Sequence, residues 1–381
     1  MNAPPQPHPS HPLLVGYYGE HNLGDDALLQ VLLAQLPAPC RPTVTARDQA
    51  EVRERFGVST VNRRRLAAVL AALGHCDALV FGGGSLLQDS TSFASLLYYA
   101  ALISAARLRG RPVLLWAQGL GPLRRRRSRL LVAALLRLVS GCSWRDPESA
   151  ALARELGWQP DRRQLASAAV CTDPAADAGV GSDAVWSFPG PAWSGRGGPI
   201  VLCFRPTAQL RGQAWRPWLE ALEGLAPERE LLWLPLHRHQ DRGLLAQLAA
   251  EGLLGEALAA RSRELAPGRP EDVQAVCAGS GLVLAMRLHG LILAAVSGAP
   301  VAALSYDPKV AAAARALGCS LAQLDKPPAP AELLREWRTI LDLQPDVRRI
   351  EELRKATDVH RQLLESVFSS ETRTSAAGLR R

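Results

Sequence analysis

Several features are scarce in this sequence, and each scarcity excludes a class of protein. Aromatic residues make up only 5% of the 381 residues. No apolar run reaches the roughly 18 residues of a membrane-spanning helix, because Arg137 interrupts the run over 130–142 and Arg287 with His289 interrupts the run over 281–304. Helix-turn-helix, zinc-finger and RNP-type motifs are missing, so we expect no nucleic-acid partner.

Cysteine pairs with the spacing of a metal or redox site are also missing. The seven cysteines include no C-x-x-C pair and are odd in number, which favours reduced core thiols over disulfides or zinc. His237 and His239 have an i, i+2 spacing that could hold a metal, but the nearby sequence offers no further ligands. We interpret them as loop histidines beside a ligand, and we expect neither a metal nor a cofactor.

Positive charge is what the sequence has in excess. The net charge is +8, and all but three of the 44 basic residues are arginines, which favours anionic partners. One run, consisting of Arg124, Arg125, Arg126, Arg127 and Arg129, precedes an apolar helix. This pattern suits peripheral contact with an anionic membrane or the diphosphate of a lipid-linked acceptor. A solvated basic loop before a packed helix is the alternative.

The first twelve residues, MNAPPQPHPSHP, have five prolines and no apolar segment. They match neither a secretory signal nor an amphipathic transit helix. We therefore expect a cytoplasmic protein, placed at the inner face of the plasma membrane if the arginine run binds lipid.

Short apolar runs alternate with longer segments of helical periodicity along most of the chain. This alternation predicts βαβ units and an α/β fold of two doubly wound, Rossmann-like domains. One predicted helix runs from about Ser85 to Leu108 and another from Val347 to Phe368. The predicted organisation is a disordered Pro-rich start (1–12), an N-terminal Rossmann-like domain (13–178), a Gly/Pro-rich linker (179–199), a C-terminal Rossmann-like domain (200–345), a helix (346–368) and a disordered tail (369–381).

Two doubly wound domains joined by one linker are expected to face each other across a cleft, with the carboxyl ends of their strands lining it. The first strand-to-helix turn places Asn22, Asp25 and Asp26 at the start of a helix, where they contact a ligand or merely cap the helix. Because Asp25 and Asp26 are adjacent, at most one of them is a catalytic candidate.

Three further turns in the N-terminal half carry small or polar residues. In FGGGS, three glycines expose backbone N–H groups, and we expect Ser85 to open the next helix so that an anion could bind there; close packing of helix on strand is the alternative. Gln118 suits a hydroxylated ligand or fills a turn. Asp146 caps a helix, whereas Arg145 is harder to explain by structure alone.

The C-terminal half contains the sharpest feature. Arg287 and His289 interrupt an apolar strand-turn-helix, and a cation in such a setting is costly unless it is paired or faces a polar cleft. We favour ligand contact over pairing with a carboxylate in the core. Arg205 ends another buried strand. Lys309 follows a further strand and adds a positive charge at the same rim of the cleft as Arg287 and His289.

Together these segments resemble the polysaccharide pyruvyl transferases, specifically the CsaB type. The resemblance covers most of the chain from Leu13 to about Gly318. It rests on residues 16–29, 82–89, 118–122, 145–146, 173–174, 287–289 and 306–309. It implies a fold like that of the GT-B glycosyltransferases and transfer of pyruvate from phosphoenolpyruvate to two hydroxyls of a saccharide, giving a cyclic ketal. The first turn departs from the family's common G-D-E-A, since Asp26 replaces the glutamate, which leaves a role for that acid open.

The resemblance associates Arg287, His289 and Arg205 with phosphoenolpyruvate, a co-substrate rather than a cofactor. We assign His289 as the acid near the enol, because histidine changes charge near neutrality. Arg287, Arg205 and Lys309 hold the phosphate and carboxylate. Asp25, from across the cleft, is the candidate base for the acceptor hydroxyl. The acceptor side, a saccharide or its lipid-linked precursor, is assigned to Asn22, Gly82, Gly83, Gly84, Ser85, Gln118 and Arg145.

Two rival functions fit the same architecture. A GT-B glycosyltransferase using a nucleotide sugar is suggested by Glu256 and Glu264, whose spacing is that of retaining enzymes, although the expected glycine-rich context is missing. A glycan-binding protein without activity is the other rival. It would not need Arg287, His289 and Lys309 together on one apolar rim.

Overall fold

The computed structural model describes residues 10–90, 92–159 and 179–369. Residues 1–9 and 370–381 of the predicted disordered ends lie outside these ranges, as do Asp173 and Pro174. The described chain forms two compact units. The first contains the residues up to Glu20, Leu28–Ala184 and the residues from Arg354 onward, and the second contains His21–Ala27 and Val185–Leu353.

The first unit is built on a six-stranded parallel sheet with the strand order β3-β2-β1-β4-β5-β6. Its strands are β1 Pro12–Tyr18, β2 Thr43–Ala46, β3 Ser59–Asn62, β4 Ala78–Phe81, β5 Val113–Gln118 and β6 Gly141–Trp144. The accompanying helices are α1 Leu23–Gln35, α2 Gln49–Phe56, α3 Leu66–Gly74, α4 Phe93–Leu108, α5 Arg126–Leu136 and α6 Pro147–Glu155.

The second unit repeats this plan with the strand order β12-β11-β10-β7-β8-β9, again parallel. Its strands are β7 Ile200–Cys203, β8 Leu231–Trp233, β9 Ser262–Glu264, β10 Leu282–Ala285, β11 Val301–Ser305 and β12 Ser320–Gln323. The helices are α7 Arg216–Gly224, α8 Leu244–Ala250, α9 Glu256–Ala260, α10 Pro270–Ala278, α11 Leu288–Val296, α12 Pro308–Leu317, α13 Pro330–Ile340 and α14 Val347–Lys355. A last helix, α15 Asp358–Phe368, belongs to the first unit.

Burial explains why the central strands form parallel sheets. Every residue of β4, β5, β7, β10 and β11 is buried, as expected when helices cover both faces of a sheet. Two separate apolar cores result, one around the first sheet and one around the second. The predicted fold class of two doubly wound domains is confirmed.

The segment predicted as a linker is divided between the two units, and each part packs within its own unit. Trp144 donates its backbone N–H to Gly179 and forms an isolated parallel bridge with Val180, and Trp186 and Phe188 are buried. Trp193 Nε1 donates to the Ser280 carbonyl at 2.7 Å. Residues from Val185 onward therefore belong to the second unit rather than to a free connection.

Two predicted helices have different limits in the structure. The helix expected from Ser85 begins at Phe93, where the Ser92 side chain caps it by accepting the Ser95 N–H at 3.1 Å. The single helix expected over 347–368 is two helices, α14 and α15. Between them the Thr357 hydroxyl donates to the Arg354 carbonyl at 2.7 Å, a local side-chain bond that competes with a continuous helix.

No described helix combines the length and apolar character that a transmembrane segment requires. The six described cysteines are free thiols, and four of them are buried in the cores, as the odd number and spacing predict.

Candidate active site

Four neighbouring strands of the second sheet lead into polar side chains. β11, β10, β7 and β8 lie side by side, and the chain continues from their carboxyl ends to Tyr306, Arg287, Arg205 and His237. The strand order reverses between β10 and β7. Doubly wound sheets bind ligands outside the carboxyl ends of their strands at such a point. The topology therefore brings Arg205 and Arg287 to the position where a ligand is expected.

Arg287 is paired with a buried carboxylate, Asp241, which is the alternative that we favoured less on the sequence. Its Nε donates to Asp241 Oδ2 at 3.0 Å, and a second guanidinium nitrogen bonds to Oδ1. The Asp241 side chain is fully buried, and it also accepts the backbone N–H groups of Leu236 at 3.2 Å and His237 at 2.8 Å. This carboxylate therefore fixes the Arg287 guanidinium and the turn after β8 in one network.

A second arginine joins this network through a shared amide. Arg205 donates to Gln240 Oε1 at 3.0 Å, and Arg287 donates to the same oxygen at 3.2 Å. Arg205 also donates to the Tyr306 hydroxyl at 2.9 Å. The two guanidinium groups therefore converge on one amide oxygen. Among the described residues, Asp241 is the one carboxylate bonded to either of them. The pair carries a positive charge that this carboxylate leaves uncompensated.

An open cavity of about 690 Å³ lies beside Arg205 and Tyr306. Its wall is formed by the loop after β7 together with side chains of α8 and the end of β11. The lining residues are Arg205, Pro206, Thr207, Ala208, Gln209, Leu210, Arg211, Gly212, Gln247, Glu251 and Tyr306. A small anion bound by Arg205 has room here.

His237 is buried beside the arginine network. Its Nδ1 accepts the His239 backbone N–H at 3.2 Å, and its Nε2 is buried with no hydrogen-bond partner among the described residues. Burial, and next the positive charge of Arg287, lower the pKa of His237 below its usual 6.5. His237 is therefore a neutral imidazole near pH 7, with its proton on Nε2. Because Nδ1 already accepts a backbone proton, it is not available to a metal.

His289 lies in the first turn of α11, directly after Arg287 and Leu288. Two glycines, Gly290 within this turn and Gly24 beside it, allow close packing here. A Cβ on Gly290 would stand 3.1 Å from Cys203 Cβ, and a Cβ on Gly24 would overlap the His289 ring at Nδ1. Glycine at position 24 therefore leaves the space that the His289 imidazole occupies.

The short segment His21–Ala27 belongs to the second unit, which the sequence did not predict. Leu23 donates its N–H to the Leu236 carbonyl at 2.9 Å, and Asn22 forms an isolated antiparallel bridge with His237. The Asn22 side-chain amide bonds to the Asp25 carboxylate. Asn22 and Asp25 are thus grouped with Arg287 and His289 in one unit, so the expectation that Asp25 comes from the opposite domain is wrong. The neighbouring Asp26 is buried, which leaves Asp25 as the more accessible acid.

Lys309 follows β11 in the first turn of α12. Asp307 caps this helix and accepts the Lys309 backbone N–H at 2.9 Å. The Lys309 side chain is half-buried, at the same edge of the sheet as Tyr306.

In the first unit, packing accounts for the glycine turn. A Cβ on Gly82 would overlap the Tyr18 hydroxyl, and one on Gly83 would come within 2.7 Å of Leu28 Cδ2. Gly84 has φ 95°, a left-handed conformation that favours glycine. Because α4 begins at Phe93, Ser85 does not open a helix, and the expected anion site at a helix start is not formed here.

Gln118 and Arg145 donate hydrogen bonds to residues of this glycine turn. Gln118 Nε2 donates to the Gly82 carbonyl at 2.5 Å. Arg145, whose side chain is 5% exposed, donates to Ser85 Oγ at 3.0 Å and pairs with Asp146 and Asp183 at 3.3 and 3.5 Å. The structure therefore places Arg145 in a buried ion-pair network that positions Ser85.

The chain matches the family model for polysaccharide pyruvyl transferase over residues 22–308. The comparison with curated proteins finds no match.

Solved structures with a similar fold include enzymes that handle nucleotide sugars. A Listeria monocytogenes protein assigned as a UDP-N-acetylglucosamine 2-epimerase is 14% identical and aligns over 96% of this chain and 98% of its own, with a TM-score of 0.59. The S. aureus protein MnaA, solved with UDP, is 12% identical over 96% and 97%, with a TM-score of 0.57. Acinetobacter baumannii MurG is 15% identical over 94% and 100%, with a TM-score of 0.51. At these identities the similarity establishes the two-domain GT-B architecture alone.

The sequence match extends from the Asn22 turn to the start of α12 and includes Arg205, Arg287 and His289. It covers well over half of the chain and both sheets. The chain therefore belongs to the polysaccharide pyruvyl transferase family and is a transferase.

Proposed function

We propose that this transferase, of the CsaB type, takes its pyruvyl group from phosphoenolpyruvate and binds this donor at the strand ends of the second unit. The observation that carries the proposal is the convergence of Arg205 and Arg287 on the Gln240 side-chain oxygen. Phosphoenolpyruvate bears a carboxylate and a phosphate, both of which accept paired hydrogen bonds from guanidinium groups. The surplus positive charge of this pair, with Lys309 at the same edge, suits such an anion.

The proposed chemistry begins at the enol double bond. His289 gives a proton to the methylene carbon, the double-bond electrons form the new C–H bond, and the central carbon becomes oxocarbenium-like. A hydroxyl of the saccharide attacks that carbon and loses its proton to Asp25. Phosphate then leaves with the C–O bond electrons, and a second hydroxyl closes the ring. The proton taken up by Asp25 leaves with phosphate and the proton of the second hydroxyl restores His289, so the products are the cyclic ketal and inorganic phosphate.

Several features of the second unit support these roles. His289 follows Arg287 by two residues in the turn that opens α11, so an anion held by Arg287 lies near the imidazole. Asp25 follows Gly24, whose backbone contacts the His289 ring. The lowered pKa of His237 keeps this ring neutral near pH 7, so it adds no charge to the site. We therefore propose His289 and Asp25 as the acid and base.

The acceptor is proposed to be a cell-surface saccharide or its lipid-linked precursor. Asn22 in the second unit, and in the first unit the glycine turn with Ser85 and Gln118, supply neutral hydrogen-bonding groups suited to sugar hydroxyls. Arg145 contributes by positioning Ser85. Neither a metal nor a cofactor enters this scheme, and a cytoplasmic site of action is part of the proposal.

The experiment measures phosphate release with phosphoenolpyruvate alone, with a glycan acceptor alone and with both. Release that requires both supports transfer. His289→Ala should lower turnover by about 100-fold or more, the usual loss for a group acting on the transition state. His75→Ala, at an exposed histidine of the first unit, is the matched control and should leave turnover unchanged. A folded His289→Ala variant with normal turnover would show that the assignment is wrong.

A thermal-shift series separates this proposal from its two rivals. Stabilisation by phosphoenolpyruvate favours pyruvyl transfer, stabilisation by a uridine or guanosine nucleotide favours a glycosyltransferase, and stabilisation by glycans alone favours a binding protein. The acid pair considered for a glycosyltransferase is divided between two elements of the second unit. Glu264 ends β9 and accepts the Gly243 backbone N–H at 2.9 Å, while Glu256 begins α9.

A further inference from the structure

The start of α5 in the first unit forms a surface that the proposed reaction does not use. Arg124, Arg125, Arg126 and Arg127 are exposed there. Among the described residues none of the four forms an ion pair with a carboxylate. Arg129 differs, since it pairs with Glu155 at 2.5 Å. Within the described residues, the part of the run without a carboxylate partner is therefore Arg124 to Arg127.

Two exposed leucines lie beside these arginines. The Arg127 guanidinium stacks over the Phe93 ring at 4.2 Å, which joins the first turns of α4 and α5. Leu97 is four residues after Phe93 on α4, and Leu130 is three residues after Arg127 on α5, so each lies on the same side of its helix as this contact. Leu97 is 49% exposed and Leu130 is 72% exposed. We call these four arginines and two leucines the basic-apolar surface.

An acid beside this run, Asp89, hydrogen-bonds to the backbone rather than to the guanidinium groups. The Asp89 carboxylate is buried, and it accepts the N–H groups of Arg124 at 3.0 Å and Arg125 at 2.9 Å. Burial opposes ionisation of Asp89, but these two bonds, with the Ser128 hydroxyl and the Arg125 charge, outweigh it and lower the pKa of the carboxyl. Asp89 therefore fixes the backbone of the run and leaves the guanidinium groups directed at solvent.

We propose that the basic-apolar surface docks on a bilayer containing anionic phospholipid. Adjacent guanidinium forks match a plane of lipid phosphates, and the two leucines reach the boundary between headgroups and acyl chains. Three further apolar residues of α5, Val132, Leu135 and Leu136, are buried in the core of the unit, and the half-buried Leu131 packs against it. The helix therefore stays packed, and the contact is peripheral and reversible rather than an inserted helix.

This proposal is independent of the donor and acceptor chemistry, so its test uses no activity. The full chain is floated with vesicles of 30% phosphatidylglycerol in phosphatidylcholine and with pure phosphatidylcholine, at about 0.1 M salt. We expect binding to the anionic vesicles alone, and weaker binding as the salt concentration rises. Equal binding to both vesicle types, or no binding to the anionic ones, overturns the proposal. A soluble polyanion would then be the better candidate for this surface.

Two double variants with equal charge locate the contact. Arg124→Gln with Arg126→Gln removes two arginines of the surface, and the expected loss is about fivefold in partitioning per arginine. Arg107→Gln with Arg109→Gln removes two exposed arginines from the other end of α4 and should change partitioning by less than about threefold. Equal losses in both double variants would show that net charge alone, rather than this surface, attracts the protein.

The leucines are tested separately from the charge. Leu130→Ser keeps every arginine and should still weaken flotation by several fold, because it removes an exposed apolar side chain from the contact. Circular dichroism verifies that each variant remains folded. Unchanged flotation of Leu130→Ser would exclude the apolar part of the proposal and leave a purely electrostatic contact.

Discussion

Asp241 binds Arg287 through both of its carboxylate oxygens, and one of them, Oδ2, also accepts the backbone N–H groups of Leu236 and His237 after β8. The Arg287 side chain is 14% exposed and the Asp241 side chain is fully buried. Arg287 is therefore oriented by a residue 46 positions away in sequence, and its remaining N–H groups stay directed at Gln240 and the solvent side. The first prediction follows from this pair.

Asp241→Asn should weaken both folding and donor binding. The amide keeps the shape but loses the charge, so the Arg287 guanidinium remains partly buried without a counterion. Breaking a buried pair from one side costs about 3 kcal/mol of unfolding free energy. We also expect the KM for phosphoenolpyruvate to rise by about tenfold or more, since the guanidinium loses its orientation. Urea denaturation and steady-state kinetics measure the two effects.

Asp342→Asn is the matched control for this variant. Asp342 pairs with Arg229 at 2.7 Å and accepts the Gly197 N–H at 3.0 Å. Arg229 is 14% exposed, as Arg287 is, while Asp342 is 19% exposed and Asp241 is fully buried. Asp342→Asn should lower stability without changing the KM. A similar KM change in both variants would assign the effect of Asp241 to general destabilisation.

Gly24→Ala should remove activity by displacing His289. The added methyl group would overlap the imidazole ring, so either the ring or the Gly24 segment must move. A displacement of about 1 Å in a reacting group commonly costs about 100-fold in rate. Gly74→Ala is the control, because a Cβ there meets no atom within 4 Å and alanine favours a helix. Normal turnover of Gly24→Ala would argue against a catalytic role for His289.

Arg287→Gln should raise the pKa of His237. Burial is the main cause of its lowered pKa, and the Arg287 charge is the next. Removing that charge leaves Asp241 beside the ring, and both changes favour the imidazolium. Imidazole ¹⁵N chemical shifts recorded against pH report the change directly. A His237 titration identical in the wild type and in the variant would contradict the arrangement described here.

His360 should make the first unit less stable in acid. Burial lowers the pKa of His360 from 6.5 to about 4, and its Nε2 bonds to the Ser182 carbonyl at 2.7 Å. The unfolded chain then takes up a proton below pH 6.5 that the folded chain does not take up until near pH 4. This histidine therefore contributes stability above pH 6.5, and about 2 kcal/mol of it is lost by about pH 5.

The measurement compares urea unfolding of the wild type and His360→Gln between neutral pH and pH 5. Glutamine can still donate to the Ser182 carbonyl but does not titrate. The variant should therefore show a shallower loss of stability with falling pH. Equal slopes for both proteins would show that His360 is protonated in the folded state.

Local patterns in the sequence were sufficient to predict the central strands of both units. The central strands are runs of apolar residues, because helices cover both faces of a parallel sheet and bury them. The alternation of such runs with segments of helical periodicity therefore predicts these strands. β2, α2, β3 and α3 lie within 43–74, where the sequence analysis assigned no elements. Strands β2 and β3 are short, and β3 is only partly buried, so their apolar signal is weak.

What the sequence determined by itself is the central strands, the two-sheet plan and the polar residues at the ends of those strands, because each depends on neighbours within a few residues. Tertiary structure alone decided that Asp241 and Gln240 hold the arginines and that His21–Ala27 joins the second unit. It also decided that Arg145 lies inside an ion-pair network. These relationships join residues far apart in the chain, and no local periodicity records which distant side chain will be close enough to neutralise a buried charge.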